Sequence, residues 1–215
     1  MRAAKNEGGG ATIPPPATRP LITRRPVLTG LVGSLTLRAL PVLAHDAVGP
    51  VNPPIEVPDI HVVSSDGFSG RLRERLIGRV TAIQLMFTKC KSICPIEAAT
   101  FVRVQEALGG CPCGDIQLLS LSIDPLTDTP DVLKAWLDGL GAGRGWTAVS
   151  PARADLERTR QFFDRASSAG ENHSTAMDLI NRSGRLTWRT SELPAPNEVV
   201  KVLSYLQRSA SAALP

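Results

Sequence analysis

A pair of cysteines set between a buried-strand pattern and a helical pattern constrains this chain more than any other feature. Residues 80–87 (VTAIQLMF) are a compact, mostly apolar run that predicts a strand buried on both faces. Cys90 and Cys94 follow this run, and Pro95 then begins a helical pattern that ends at two glycines. Ligand sites in open α/β sheets gather at the carboxyl ends of strands, so the two thiols occupy the position of a functional site.

Strand-like and helix-like segments alternate along the rest of the chain. The strand-like segments are residues 80–87, 116–123 and 146–149, with a hairpin over 176–190; the helix-like segments are residues 95–108, 131–140, 152–165 and 197–207. This order predicts a single α/β domain with a mixed central sheet flanked by helices, closed by a hairpin and a helix. In the first helix, the expected apolar face consists of Ile96, Ala99, Val102 and Leu108.

The net charge of +4 is concentrated in residues 1–44. This segment carries six of the 24 Lys and Arg residues and one of the 20 Asp and Glu residues, which leaves 18 basic and 19 acidic residues for the rest. A near-neutral remainder that shows no basic patch excludes nucleic acid as the expected partner. Within residues 1–44, Arg24 and Arg25 precede a short uncharged run and a stretch with small residues, which is typical of a bacterial twin-arginine export signal.

The sequence therefore predicts four consecutive parts. They are an export signal over residues 1–44, a Pro-rich linker over 45–57, a folded domain over 58–208 and a tail over 209–215. The uncharged run in the leader is too short to span a bilayer, and Arg38 interrupts any extension. We expect an exported, periplasmic protein that has no transmembrane helix of its own after processing.

The spacing of Cys90 and Cys94 indicates that their two sulfur atoms act together at one site. Two residues four apart at a helix start can lie on the same side of one turn. The free amides and the dipole there favour a thiolate, so we expect the pKa of Cys94 in particular to be lowered. A pair of soft thiolates suits Cu(I) or Zn(II), and the same pair can instead oxidise to a disulfide.

His173 is the candidate for a third ligand. It lies in a polar loop directly before the predicted hairpin, where a core histidine is not expected. Two sulfurs and one imidazole make a trigonal site that suits copper.

Three segments together resemble the Sco/SenC family. They are T-x-C-x-x-x-C-P from residue 88, SIDP with DTP from residue 122, and HS at residue 173 with Gly184 downstream, within a match over residues 55–208. The resemblance implies a thioredoxin-like fold and a copper-handling role in the assembly of cytochrome c oxidase. It implies Cys90, Cys94 and His173 as ligands of Cu(I) or Cu(II), with Asp124 as a supporting carboxylate.

The same resemblance implies a partner: the copper-receiving subunit of a membrane-bound oxidase, or another copper carrier. Three residues, at two places in the chain, depart from the family's usual pattern. Lys91 and Ser92 stand where the family has Pro and an acid, and Asn172 stands where an acid commonly precedes the histidine. These changes leave the three ligands in place but alter the surface that a partner would meet.

Other functions use the same thiols. A thiol-disulfide oxidoreductase would cycle Cys90 and Cys94 without stoichiometric copper, and a metal site would need His173 whereas disulfide exchange would not. A third alternative is a thioredoxin-fold peroxidase. It needs an arginine that supports the reactive cysteine, and the sequence does not identify one. Cys111 and Cys113, in a Gly-rich loop, are open to three interpretations: an accessory thiol pair, a local disulfide, or no catalytic part.

Overall fold

The computed structural model describes residues 48–110, 114–164 and 173–211. The strands are β1 (Gly49–Glu56), β2 (His61–Ser64), β3 (Ser69–Arg71), β4 (Val80–Met86), β5 (Ile116–Ser122), β6 (Trp146–Pro151), β7 (Ala176–Ile180) and β8 (Arg185–Glu192). The helices are α1 (Leu72–Leu76), α2 (Cys94–Ala107), α3 (Pro130–Gly139), α4 (Leu156–Phe163) and α5 (Pro196–Ser211), with a short 3-10 turn before α4. The predicted export signal, Cys111 and Cys113 lie outside the described residues.

All eight strands form one mixed sheet. Their order is β1-β8-β7-β4-β5-β6-β2-β3. Strand β5 pairs in parallel with β4 on one side and with β6 on the other, and the remaining pairs are antiparallel. Every residue of β4 and of β5 is buried, as expected for strands covered on both faces. The mixed α/β sheet predicted from the sequence is confirmed.

Side chains of β4 alternate between two apolar clusters. Val80, Ala82 and Met86 belong to a cluster that includes residues of α2, α3 and α5. Ile83 and Leu85 belong to a second cluster with residues of α1 and α4. Because successive strand residues point to opposite faces, helices cover the sheet on both sides. None of the helices in the described part of the chain has the length and hydropathy needed to cross a bilayer.

The linker predicted over residues 45–57 is wrong for residues 49–56. These form β1, which pairs antiparallel with β8 at one edge of the sheet. Proline lacks a backbone donor, but an edge strand tolerates it, and the register of β1 shifts between Pro50 and Ile55. At the other end of the domain, α5 continues to Ser211, so the predicted tail begins within a helix.

The buried face of α2 also differs from the prediction. Ile96 is 53% exposed, and Ala99 is exposed as well. The buried residues of this helix are Cys94, Glu97, Ala98, Phe101, Val104 and Gln105. Two of them, Glu97 and Gln105, are polar. The buried face therefore lacks the regular spacing of apolar residues that predicts a buried helix face from sequence.

Candidate metal centre

The topology brings two distant segments of the chain together. Strand β4 lies between β5, which is parallel to it, and β7, which is antiparallel. The carboxyl end of β4 therefore lies beside the amino end of β7. The loop that follows β4 carries Cys90, and the residues that precede β7 include His173. Both segments therefore lie at the same end of these two neighbouring strands.

Cys94 and His173 are in direct contact. The Sγ atom of Cys94 lies 3.2 Å from Nε2 of His173, although 79 residues separate them in the chain. The other ring nitrogen, Nδ1, lies 2.9 Å from the carbonyl oxygen of Ser174. Because a carbonyl only accepts, Nδ1 carries the proton, and in the neutral ring Nε2 presents its lone pair towards the sulfur. Both side chains are buried, with 3% of Cys94 and 5% of His173 exposed.

Cys90 lies on the more exposed side of the pair. It is half-buried, and its Sγ accepts a hydrogen bond of 3.4 Å from the backbone N–H of Cys94 and lies 3.7 Å from the hydroxyl of Ser92. Burial opposes ionisation of the Cys90 thiol, but hydrogen bonds from Cys94 and Ser92 outweigh it and lower its pKa to about 7. Lys89 and Lys91, on either side of it in the chain, are exposed.

The prediction of a lowered pKa for Cys94 is wrong. Cys94 is the first residue of α2, and its side chain packs into the apolar cluster that includes residues of α2, α3 and α5. Burial raises the pKa of the Cys94 thiol, and the neighbouring sulfur of Cys90 raises it further. The free amide at the helix start stabilises the sulfur of Cys90 instead, because the backbone N–H of Cys94 points to it.

Glu97 is a third buried member of the cluster. In the described part of the chain, one set of potential metal-ligating side chains has its donor atoms all within 4.8 Å of one another: Cys94, Glu97 and His173. Cys90 is not a member of this set. The carboxylate Oε2 of Glu97 lies 3.8 Å from Nε2 of His173. Burial, with smaller contributions from Cys90 and Glu192, raises the pKa of Glu97 to about 9.

Asp124, the predicted supporting carboxylate, bonds within its own loop. Its side chain accepts a hydrogen bond from the Thr127 hydroxyl, and its backbone N–H donates to the Ser122 hydroxyl at 3.0 Å. Its supporting role at the site therefore stays a prediction.

The neighbouring Asp128 is the carboxylate that reaches the cysteine loop. It is 1% exposed and accepts hydrogen bonds from the backbone N–H and the hydroxyl of Thr88. It also accepts a bond of 2.6 Å from the Ser122 hydroxyl. Asp128 thus ties the start of the Cys90 loop to the end of β5.

The family is settled by comparison with known sequences. The SCO1/SenC family model matches residues 69–207, which is well over half of the chain. The chain belongs to the SCO1/SenC family. None of the curated proteins matches it.

Solved structures with SCO1/SenC names share the fold. A SCO1/SenC family lipoprotein from Bacillus anthracis str. Ames is 22% identical with a TM-score of 0.60, covering 73% of this chain and 99% of its own. ScoI from Bradyrhizobium japonicum, described with copper bound, is 20% identical with a TM-score of 0.57, covering 74% and 99%. BsSco, described as a cytochrome c oxidase assembly protein with a disulfide switch, is 20% identical with a TM-score of 0.60, covering 74% and 96%. These likenesses establish the thioredoxin-like fold.

In this SCO1/SenC chain, the sequence motifs mark Cys90, Cys94 and His173 but not Glu97. The structure brings Cys94 into contact with His173 and with the loop of Cys90, while the role of all three as ligands stays a prediction. A signal for Glu97 was available in the sequence. Glu97 follows Cys94 by three residues, and positions three apart on a helix share a face.

Proposed function

We propose that this protein binds copper through Cys90, Cys94 and His173 and passes it to a subunit of cytochrome c oxidase, or to another copper carrier, during oxidase assembly. One observation carries the proposal. Cys94 Sγ and His173 Nε2 lie 3.2 Å apart at the sheet edge that also holds the Cys90 loop. Family membership supports the same conclusion, as does the description of ScoI with copper bound.

The residues present fit copper as cargo. Thiolate sulfur and imidazole nitrogen are donors that both copper oxidation states accept, and Cu(I) favours the sulfurs. The tautomer fixed by Ser174 leaves Nε2 of His173 free to bind a metal. Cys90 is more exposed than Cys94, so a partner's ligand can reach the ion from the side of Cys90.

We also propose that the protein acts outside the cytoplasm of a bacterium, where assembling oxidase subunits are accessible to an exported copper carrier. The leader-like residues 1–44 support this placement. A bacterial relative described as a lipoprotein is consistent with it.

The arrangement of the two sulfurs supports a second candidate, a thiol-disulfide oxidoreductase. The Cys90 thiol is half-exposed and ionises near neutral pH, so it can attack a substrate disulfide. Cys94 would then resolve the mixed disulfide. The pair would give two electrons and two protons to the substrate and become a disulfide itself.

Copper stoichiometry and the absorption spectrum of the reduced protein test the proposed function. We expect one copper ion for each wild-type chain, with thiolate-to-metal absorption when Cu(II) is bound. A variant with both Cys90 and Cys94 changed to serine should bind none at this site. The matched control changes Cys111 and Cys113 to serine and should bind copper like the wild type. Equal copper binding by the Cys90/Cys94 variant and the wild type would refute the proposal.

His173→Ala separates the two candidates. If the protein carries copper, this change lowers copper affinity sharply and leaves the reduction of a model disulfide nearly intact. His61→Ala, at an exposed histidine of β2, is the control and should change neither. Equal loss of both activities in His173→Ala would contradict this division of roles.

A further inference from the structure

Helix α2 buries two polar side chains, Glu97 and Gln105, whose hydrogen bonding differs. The amide of Gln105 donates to the carbonyl of Gly141 at 3.1 Å and accepts from the backbone N–H of Gly143 at 2.6 Å. Glu97 is 1% exposed, and neither of its carboxylate oxygens has a hydrogen-bond partner within the described residues. A buried carboxyl group without partners opposes folding. The stability of the domain therefore gives no reason for a glutamate at this position.

The atoms around Glu97 point to a functional reason for a glutamate at this position, namely metal binding. Its Oε2 lies 3.8 Å from Nε2 of His173, and Nε2 lies 3.2 Å from Sγ of Cys94. Nitrogen, oxygen and sulfur ligands at about 2.0–2.3 Å from one ion lie roughly 3–4 Å from one another. Two of the three separations thus match those of ligands that share an ion, and all three donor atoms lie within 4.8 Å of one another.

We infer that Glu97 is a further copper ligand and that it gives the site affinity for Cu(II). This inference rests on the proposed copper-binding function. The sulfurs of Cys90 and Cys94 are soft donors that favour Cu(I), whereas a carboxylate oxygen together with imidazole favours Cu(II). With Glu97 the site offers both kinds of donor, so it can hold the ion in either oxidation state.

The test compares Glu97→Gln with the wild type in two competition titrations. One uses a Cu(II) chelator and the other, under anaerobic conditions, a Cu(I) chelator. We expect the affinity for Cu(II) to fall by about tenfold or more, and the affinity for Cu(I) to change by less than about threefold. The electron paramagnetic resonance spectrum of bound Cu(II) should also change. Glu106→Gln is the matched control, because Glu106 lies on the same helix with an exposed side chain.

The outcomes of these titrations distinguish a failure of the inference about Glu97 from a failure of the proposed function. If Glu97→Gln keeps the Cu(II) affinity and the spectrum of the wild type, Glu97 is not a ligand, while the proposed function stands. An equal loss of Cu(I) and Cu(II) affinity would also overturn the inference. If the wild type binds neither ion, the proposed function itself has failed. Glu97→Ala, which removes the donor atoms with a smaller side chain, is the second variant and should give the same selective loss.

Discussion

The carboxylate of Glu192 accepts hydrogen bonds from the backbone N–H of Thr175, at 2.6 Å, and from the Thr175 hydroxyl. It also accepts a bond of 2.9 Å from the hydroxyl of Ser174. The carbonyl of Ser174 in turn accepts the Nδ1 proton of His173. Glu192 therefore holds the backbone that directs His173 towards Cys94, and we regard it as a positioning residue.

Glu192→Gln should weaken copper binding by about tenfold, because the amide group of glutamine cannot accept all of these bonds and the imidazole loses its fixed orientation. The reactivity of Cys90 should stay unchanged, since Cys90 makes none of these contacts. Copper competition titrations and thiol alkylation measure the two effects. Glu157→Gln, on the exposed side of α4, is the control. Unchanged affinity in Glu192→Gln would show that the imidazole is oriented by other groups.

Asp128→Asn should destabilise the domain. The buried carboxylate accepts bonds from Thr88 and Ser122, and bonds to a charged acceptor are stronger than neutral ones. We expect a loss of about 2 kcal/mol in the free energy of unfolding, measured by urea denaturation. Asp138→Asn serves for comparison, because the exposed Asp138 pairs with Lys134 on the surface of α3 and should change stability little. Equal stability of the two variants would disprove the role given to Asp128.

The two thiols should differ in their reaction with iodoacetamide. Because hydrogen bonds lower the pKa of Cys90 to about 7, its alkylation rate should rise through pH 7 and level off above about pH 8. Cys94, whose pKa is raised by burial, should react slowly over the same range. Peptide mass spectrometry of the reduced protein at each pH resolves the two sites. Faster modification of Cys94 than of Cys90 would be inconsistent with the described burial.

Glu97→Gln should stabilise the copper-free protein, and the gain should grow with pH. The folded state keeps the Glu97 proton up to about pH 9, whereas the unfolded chain releases it near pH 4.5. Over this interval the unfolded state binds fewer protons, so the stability of the wild type falls as pH rises. At pH 7 the gain should be about 3 kcal/mol. Urea denaturation at pH 5, 7 and 8 measures it; a gain that is independent of pH would rule out this explanation.

The central strands and helices could be predicted from the sequence, because residues within or next to each element determine where it begins and ends. The apolar run over residues 80–87 is long enough for one strand and is bounded by polar residues, and it forms β4. Pro130 and the glycines after residue 138 mark the ends of α3. The contact between Cys94 and His173 follows once β7 is known to lie antiparallel to β4, and that pairing depends on the whole sheet.

Other features depend on tertiary surroundings that no single segment encodes. Three prolines made residues 49–56 resemble a linker, yet an edge position beside β8 allows them to form β1. A helix start favours a thiolate, but the sequence does not show that the sulfur of Cys94 enters the core while that of Cys90 receives the free amide. The sequence does not single out Glu97, because glutamate is usually exposed, whereas this one is buried with no hydrogen-bond partner among the described residues.

The 79-residue separation between Cys94 and His173 has a consequence for the lifetime of the protein. An ion held by both side chains would act as a removable cross-link between α2 and the segment before β7, and closing a long loop restricts the unfolded chain much as a disulfide does. The loaded protein would then resist proteolysis better than the empty one. Delivery of the ion would return the chain to its more degradable form.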